Sequence, residues 1–185
     1  QICSLGVELK VGQALGKDFT IDSLQQRGFK AIFVALGTHK ALQLQIPGEK
    51  DFPQVLDCIA FLRDVNLDKK PDYAGKKVVV VGGGNAAIDS ARTSLRLGAD
   101  VVIAYRRTVP EMPANSWEIE EAEEEGVKIQ TLVAPVRVVG AGDKVAGLEV
   151  QKMQLGEPDK SGRRRPVPIE GSNYVLPCDV LIAAI

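Results

Sequence analysis

Two clusters of residues in this chain have the types and spacing to hold a dinucleotide. The first is "VVVVGGGNAA", in which Gly82-x-Gly84-x-x-Ala87 follows a run of valines. Glycine at 82 permits a tight turn, and glycine at 84 removes the side chain that would keep a pyrophosphate off the backbone. Ala87 lets the helix that follows pack close to the strand. The start of that helix offers unpaired N–H groups from about Asn85 to Ala87, together with the positive end of its dipole. Gly82, Gly83, Gly84, Asn85 and Ala86 are therefore the candidate phosphate-binding residues. The second cluster is "VVIAYRR", which ends on Arg106 and Arg107. It stands about 20 residues beyond the glycines, where an NAD-binding domain carries an acid for the ribose 2′-hydroxyl. A carboxylate there would repel a phosphate, whereas a guanidinium makes paired, charge-assisted bonds to one. The pattern points to NADP(H). Arg106 and Arg107 are both candidates, and which of them binds the 2′-phosphate stays open.

These residues need particular elements to position them. The valines 78–81 form an unbroken apolar run, as in a central strand of a parallel sheet covered on both faces. "AAIDSARTSLRLG" has apolar residues at 88, 91 and 95 and ends at Gly98, which predicts a helix. A second strand follows directly. This strand–glycine–helix–strand order is the context that a glycine motif needs to mean dinucleotide binding. Asp89 in the first turns complements the helix dipole.

Outside this centre the pattern is plainer. "VELKV" and "KAIFVALGT" read as strands, and "TIDSLQQRG" as a short helix capped near Thr20 or Asp22. "LQIPGEKDFP" suits a linker, and residues 55–66 have helical spacing. After Pro110 and Pro113, an acidic helix runs from about Asn115 to Glu125 and stops at Gly126. Its six glutamates read as a solvated face, with Trp117 packing the helix down. Residues 127–155 read as strands joined by a turn near "GAGDK", and "GRRRP" as a solvated turn. The fold class expected is α/β: a Rossmann-type parallel sheet with a small antiparallel strand layer.

Composition excludes several function classes. The 185 residues are 45% hydrophobic and 25% charged, which is ordinary globular composition, and the net charge of −1 disfavours a broad nucleic-acid surface. No apolar run reaches the ~20 residues that span a bilayer, and no signal-peptide pattern opens the chain, so a cytoplasmic protein is expected. Cys3, Cys58 and Cys178 are far apart and there is one His, His39, read as a surface loop residue. No metal site and no dithiol centre is expected, and no catalytic residue is assigned. "DVLIAAI" ends within an apolar run and the chain starts without Met, so a piece of a larger protein is expected.

"VVVVGGGNAAIDSARTSLRLGADVVIAYRRTVPEMPA", with "EIEEAEEEGV" and "LGEPDKSGRRRPVPIEGS", closely resembles the FAD-dependent NADPH oxidoreductases typified by the small subunit of glutamate synthase. The resemblance covers nearly the whole chain. It implies an NADPH-binding domain set into an interrupted FAD-binding domain. On that basis residues 1–75 are a partial FAD-domain segment and linker, 76–172 the NADPH domain, and 173–185 a strand returning toward the FAD domain. Ala184 then lies close to the nicotinamide. The resemblance also implies hydride passing from NADPH to FAD, and electrons going on through iron–sulfur clusters to a larger partner subunit. The FAD and cluster-binding segments belong to the full-length parent, so this chain is expected to bind NADP(H) without turnover.

Other classes fit less well. A short-chain dehydrogenase needs Tyr-x-x-x-Lys after the glycines, but Tyr73 and Lys77 precede them. Thioredoxin reductases carry C-x-x-C in this domain, and methyltransferases want an acid where Arg106 stands. A stand-alone NADPH-dependent dehydrogenase and a non-catalytic NADP(H)-sensing module share the cradle. A flavin spectrum of the full-length protein separates them from the flavoenzyme.

Overall fold

The computed structural model describes residues 3–159 and 162–185. Its chain divides into two compact units, one ending at Thr38 and one running from His39 to Ile185. In the first, helix α1 (Ile21–Gln26) starts at Thr20. The Thr20 hydroxyl accepts from the Ser23 N–H at 3.1 Å, and the Ser23 hydroxyl accepts from the Thr20 N–H at 3.0 Å. The strands expected at "VELKV" and "KAIFVALGT" do not form, and Phe33 is 93% exposed. An apolar run makes a strand only when a neighbouring backbone pairs along its length, and neither run belongs to a sheet among the described residues.

The second unit is built on a five-stranded parallel sheet in the order β1-β9-β2-β3-β4, comprising β1 (Val55–Asp57), β2 (Lys77–Val81), β3 (Asp100–Ala104), β4 (Lys128–Gln130) and β9 (Val180–Ala183). Side chains alternate strictly between its faces. Val78, Val80, Val101, Ile103 and Ile182 join one core with helices α2 (Cys58–Asn66), α3 (Asn85–Arg96) and α4 (Ser116–Glu125). Val79, Val81, Ala104 and Leu181 join another core with the antiparallel strands β5 (Val133–Ala141) and β6 (Lys144–Pro158). Strands β7 (Arg164–Pro168) and β8 (Tyr174–Pro177) both pair with β6. The α/β architecture with a separate antiparallel layer is thus the one expected. Burial on both faces explains why the valine run lacks any polar alternation.

Some details depart from expectation. The second unit, His39–Ile185, includes residues on both sides of 76–172. Residues 55–57, expected to be helical, form edge strand β1, and the Asp57 carboxylate then caps α2 by accepting from the Ala60 N–H at 2.7 Å. Strand β9 inserts between β1 and β2, pairing with both. A doubly buried strand carries no local mark of which sheet it joins, so chain order concealed this. "GRRRP" is a turn only at its start: the Gly162 N–H donates to the Asp159 carbonyl at 2.9 Å, while Arg164–Pro168 pairs with β6 as β7. Trp117 does not anchor α4, being 55% exposed; Ile119 and Ala122 are the buried residues. Two of the six glutamates have partners on α3: Glu121 lies 3.0 Å from Arg92, and Glu125 pairs with Arg92 and Arg96.

Two outcomes follow from this packing. Ile182 is fully buried between the layers, so Ile182→Ala should cost about 2–5 kcal/mol in urea unfolding. Cys58 and Cys178 are buried free thiols and Cys3 is exposed. Burial, with Asp179 second, pushes the Cys178 thiol up to about 12, and burial also raises Cys58. Because the thiolate is the nucleophile, iodoacetamide near neutral pH should modify Cys3 alone. Mass spectrometry should find Cys58 and Cys178 labelled only after denaturation.

Candidate functional site

The site is the carboxyl edge of the parallel sheet where β2 turns into α3. β9 lies beside β2 in the sheet, so its end borders the glycine turn. Gly82 closes this edge. Its N–H donates to the Ala104 carbonyl at 3.2 Å, and Ala184 N–H donates to the Val81 carbonyl at 2.8 Å. Gly82 has φ +151, and a Cβ on it would stand 2.0 Å from the Ala184 carbonyl oxygen. A Cβ on Gly83 would stand 2.4 Å from the Tyr105 ring. The protein's own packing requires both of these glycines.

Gly84 is different. A Cβ there would meet only the Pro113 ring, at 3.9 Å, so nothing inside the protein explains its absence. Gly84 is the N-cap of the twelve-residue α3 and no side chain caps that helix. Its carbonyl already accepts from Ala87 and Ile88, while the N–H groups of Asn85 and Ala86 have no acceptor among the described residues. An open surface beside unpaired N–H groups and a positive helix end is what a pyrophosphate fits. The residues present therefore suit a dinucleotide's phosphates.

The loop after β3 forms one wall of this cradle. The Tyr105 hydroxyl donates to the Glu111 carbonyl at 2.7 Å. Ala114 N–H donates to the Gly83 carbonyl at 3.1 Å, and Asn115 N–H to the Asn85 side-chain oxygen at 3.0 Å. Asn85 is thus a strut as well as a helix-start residue. Tyr105, Pro113 and Asn115 are wall residues that sequence reasoning missed, because their roles depend on contacts with the distant glycine turn. Beside the cradle, at the same sheet edge, a cleft of about 530 Å³ is lined by His39, Lys40, Lys50, Phe52, Asp57 and Ala183. His39 is exposed, as expected, and borders this cleft.

The two arginines separate. Tyr105 and Arg107 are buried and Arg106 points outward. Arg107 is 5% exposed, its Nε donating to the Arg164 carbonyl at 2.7 Å and its Nη2 to the Asp159 carboxylate at 2.9 Å. Its guanidinium is bonded to these two acceptors inside the protein, whereas the sequence leaves the two arginines alike. Arg106 has no hydrogen bond or ion pair among the described residues. Its place follows from sheet pairing: Ala104 pairs with Val81, so the tip of β3 lies beside the glycine turn. Among the described residues no group of three or more His, Cys, Asp or Glu stands together to hold a metal ion. No helix there is long and apolar enough to cross a membrane.

The glycines make separable predictions. Gly82→Ala should lower the melting temperature sharply, because its Cβ would collide with main chain at a strained φ. Gly84→Ala should fold, with a loss of at most about 1 kcal/mol at the cap, yet lose dinucleotide binding in calorimetry. Full-strength binding by Gly84→Ala would show that the open surface is not the phosphate cradle.

The sequence profile described as pyridine nucleotide-disulphide oxidoreductase matches residues 7–185. The chain is 45% identical over 186 residues to the beta subunit of NADP(+)-dependent formate dehydrogenase from Moorella thermoacetica, covering 100% of this chain and 26% of that protein. It is 39% identical over 190 residues to the glutamate synthase [NADPH] small chain of Halomonas elongata, covering 97% and 40%. Among solved structures, T. acidophilum thioredoxin reductase is similar in fold, with a TM-score of 0.56 at 20% identity over 80% of this chain and 41% of that one. The chain spans about a quarter of the length of the formate dehydrogenase subunit. With its glycine cradle at the sheet edge and relatives that include glutamate synthase small chains, this chain belongs to the pyridine nucleotide-disulphide oxidoreductase family.

Proposed function

We propose that this chain is the NADPH-binding part of a flavoprotein oxidoreductase similar to the glutamate synthase small subunit. The observation that carries the reading is Arg106, an outward guanidinium without a protein partner among the described residues, just past the end of β3, the strand beside an uncapped helix start. The Asn85 and Ala86 N–H groups hold the pyrophosphate at the open face of Gly84. Arg106 pairs with the ribose 2′-phosphate, a contact that NADH cannot make. Ala184, at the end of the neighbouring strand β9, borders the path toward the nicotinamide. Bound NADPH supplies a hydride; this chain contributes binding and orientation.

The acceptor in this reading is FAD held by a domain to which residues before Thr38 belong. Their exposed apolar side chains, Phe33, Val34 and Leu36 among them, suit a sheet completed by further chain. Electrons then leave through iron–sulfur centres to a larger partner subunit, in the cytoplasm. The relatives' printed names, formate dehydrogenase beta subunit and glutamate synthase small chain, support a multisubunit NADPH-linked enzyme of this kind.

Isothermal titration of the chain with NADPH and NADH tests the assignment. NADPH should bind more tightly, and Arg106→Ala should remove most of that advantage, on the order of 2 kcal/mol for a charge-assisted contact. Affinity for NADH should barely change. Equal affinities for the two cofactors, unmoved by Arg106→Ala, would exclude the 2′-phosphate reading.

A further inference from the structure

The open face of Gly84 has one neighbour in the chain within 4 Å, the Pro113 ring, 3.9 Å from where a Cβ on Gly84 would stand. Pro113 is exposed, whereas Met112 and Ala114 on either side of it are buried in the core shared with α3 and α4. The backbone at Met112 is extended, with φ −67 and ψ 130, so successive side chains point opposite ways. The two buried neighbours turn the proline ring outward, beside the face that Gly84 leaves open.

Pro113 is held from both sides. Beyond it, Ala114 N–H donates to the Gly83 carbonyl at 3.1 Å and Asn115 N–H to Asn85 Oδ1 at 3.0 Å. Before it, the 3-10 turn Val109–Glu111 is tied to the sheet through Tyr105, whose hydroxyl donates to the Glu111 carbonyl at 2.7 Å. Tyr105 is itself fixed. Its N–H donates to the Gln130 carbonyl at 2.9 Å, its carbonyl accepts from Val133 N–H at 3.0 Å, and its ring fills the space that a Cβ on Gly83 would need. The Glu111 carboxylate closes the turn on itself, accepting from the Thr108 N–H at 3.0 Å and from the Thr108 hydroxyl. That hydroxyl chiefly holds the carboxyl below its usual range, so the turn stays closed at neutral pH. The turn therefore moves as a unit. Among the described residues, the Tyr105 hydroxyl makes the one side-chain hydrogen bond that joins it to the end of β3.

We propose that Tyr105 is a positioning residue for the dinucleotide pyrophosphate: through the Glu111 carbonyl its hydroxyl sets the place of Pro113 beside Gly84, and with it the width of the slot that the phosphates enter. The inference rests on the reading that this open face takes the pyrophosphate. Tyr105 touches no cofactor in this arrangement. It fixes the wall before a ligand arrives, so that binding does not have to order the loop.

The test compares 5′-ADP, which carries the full pyrophosphate, with 5′-AMP, which carries one phosphate, by calorimetry on the chain. Circular dichroism and melting are the folding controls. Tyr105→Phe keeps the ring against Gly83 and should melt near wild type. Its affinity for 5′-ADP relative to 5′-AMP should fall roughly fivefold, the size of about one neutral hydrogen bond. Pro113→Ala should lower the same ratio, and adding Tyr105→Phe to it should lower it little further, because the hydroxyl acts through the proline. An unchanged ratio in Tyr105→Phe, an equal loss for both ligands, or additive losses in the double variant overturns the proposal. If Tyr105→Phe does not fold, Pro113→Ala alone decides, and an unchanged ratio overturns the proposal. A wild-type preference for 5′-ADP that Gly84→Ala abolishes and Tyr105→Phe leaves intact rejects this inference only. No such preference in the wild-type chain rejects the reading beneath it.

Discussion

At the carboxyl edge of the parallel sheet, the main chain leaving β2 passes so close to the end of β9 that a Cβ on Gly82 would stand 2.0 Å from the Ala184 carbonyl oxygen. Much of the site follows from that approach. The chain can turn sharply there only without a side chain, and the turn releases α3 with its first N–H groups aimed outward. The same approach brings together residues about a hundred positions apart, since β9 supplies the floor on which the glycine turn rests. Strand β9 in turn needs both layers to cover it, because its Leu181 and Ile182 side chains face opposite cores and are fully buried.

The three glycines of the motif answer to different forces. Gly82 and Gly83 are demanded by internal packing, against Ala184 and Tyr105 respectively. Gly84 faces open space, and no contact within the protein requires its lack of a side chain. A motif that reads as one unit in sequence thus separates into two glycines that internal packing requires and one that it does not. Charges in the neighbouring strand divide in the same way. Arg107 completes a buried ion pair with Asp159, whereas Arg106 remains unmatched among the described residues. A buried pair of this sort contributes little net stability, but removing one partner leaves an uncompensated charge.

The unit before Thr38 obeys a different balance. Its helix α1 forms because Thr20 and Ser23 cap each other locally, a contact that needs nothing from elsewhere in the chain. Its apolar runs find no sheet among the described residues, and Phe33 stays 93% exposed. Local hydrogen bonding decides the first outcome and missing long-range pairing the second.

By itself the sequence determined the strand–glycine–helix–strand core, the acidic helix ending at Gly126 and the positive tip of β3. Each depends on neighbours within a few positions: apolar runs, glycine geometry and charge sign. Only tertiary structure decided that β9 lies between β1 and β2, that residues 55–57 join the sheet, that Trp117 faces solvent, and that Arg106 and Arg107 have different roles. Those outcomes rest on contacts between residues far apart in the chain, such as Arg107 with Asp159 and Gly82 with Ala184, and no local spacing encodes them. Two adjacent arginines look equivalent in a string of letters; burial makes one a strut and leaves the other at the surface.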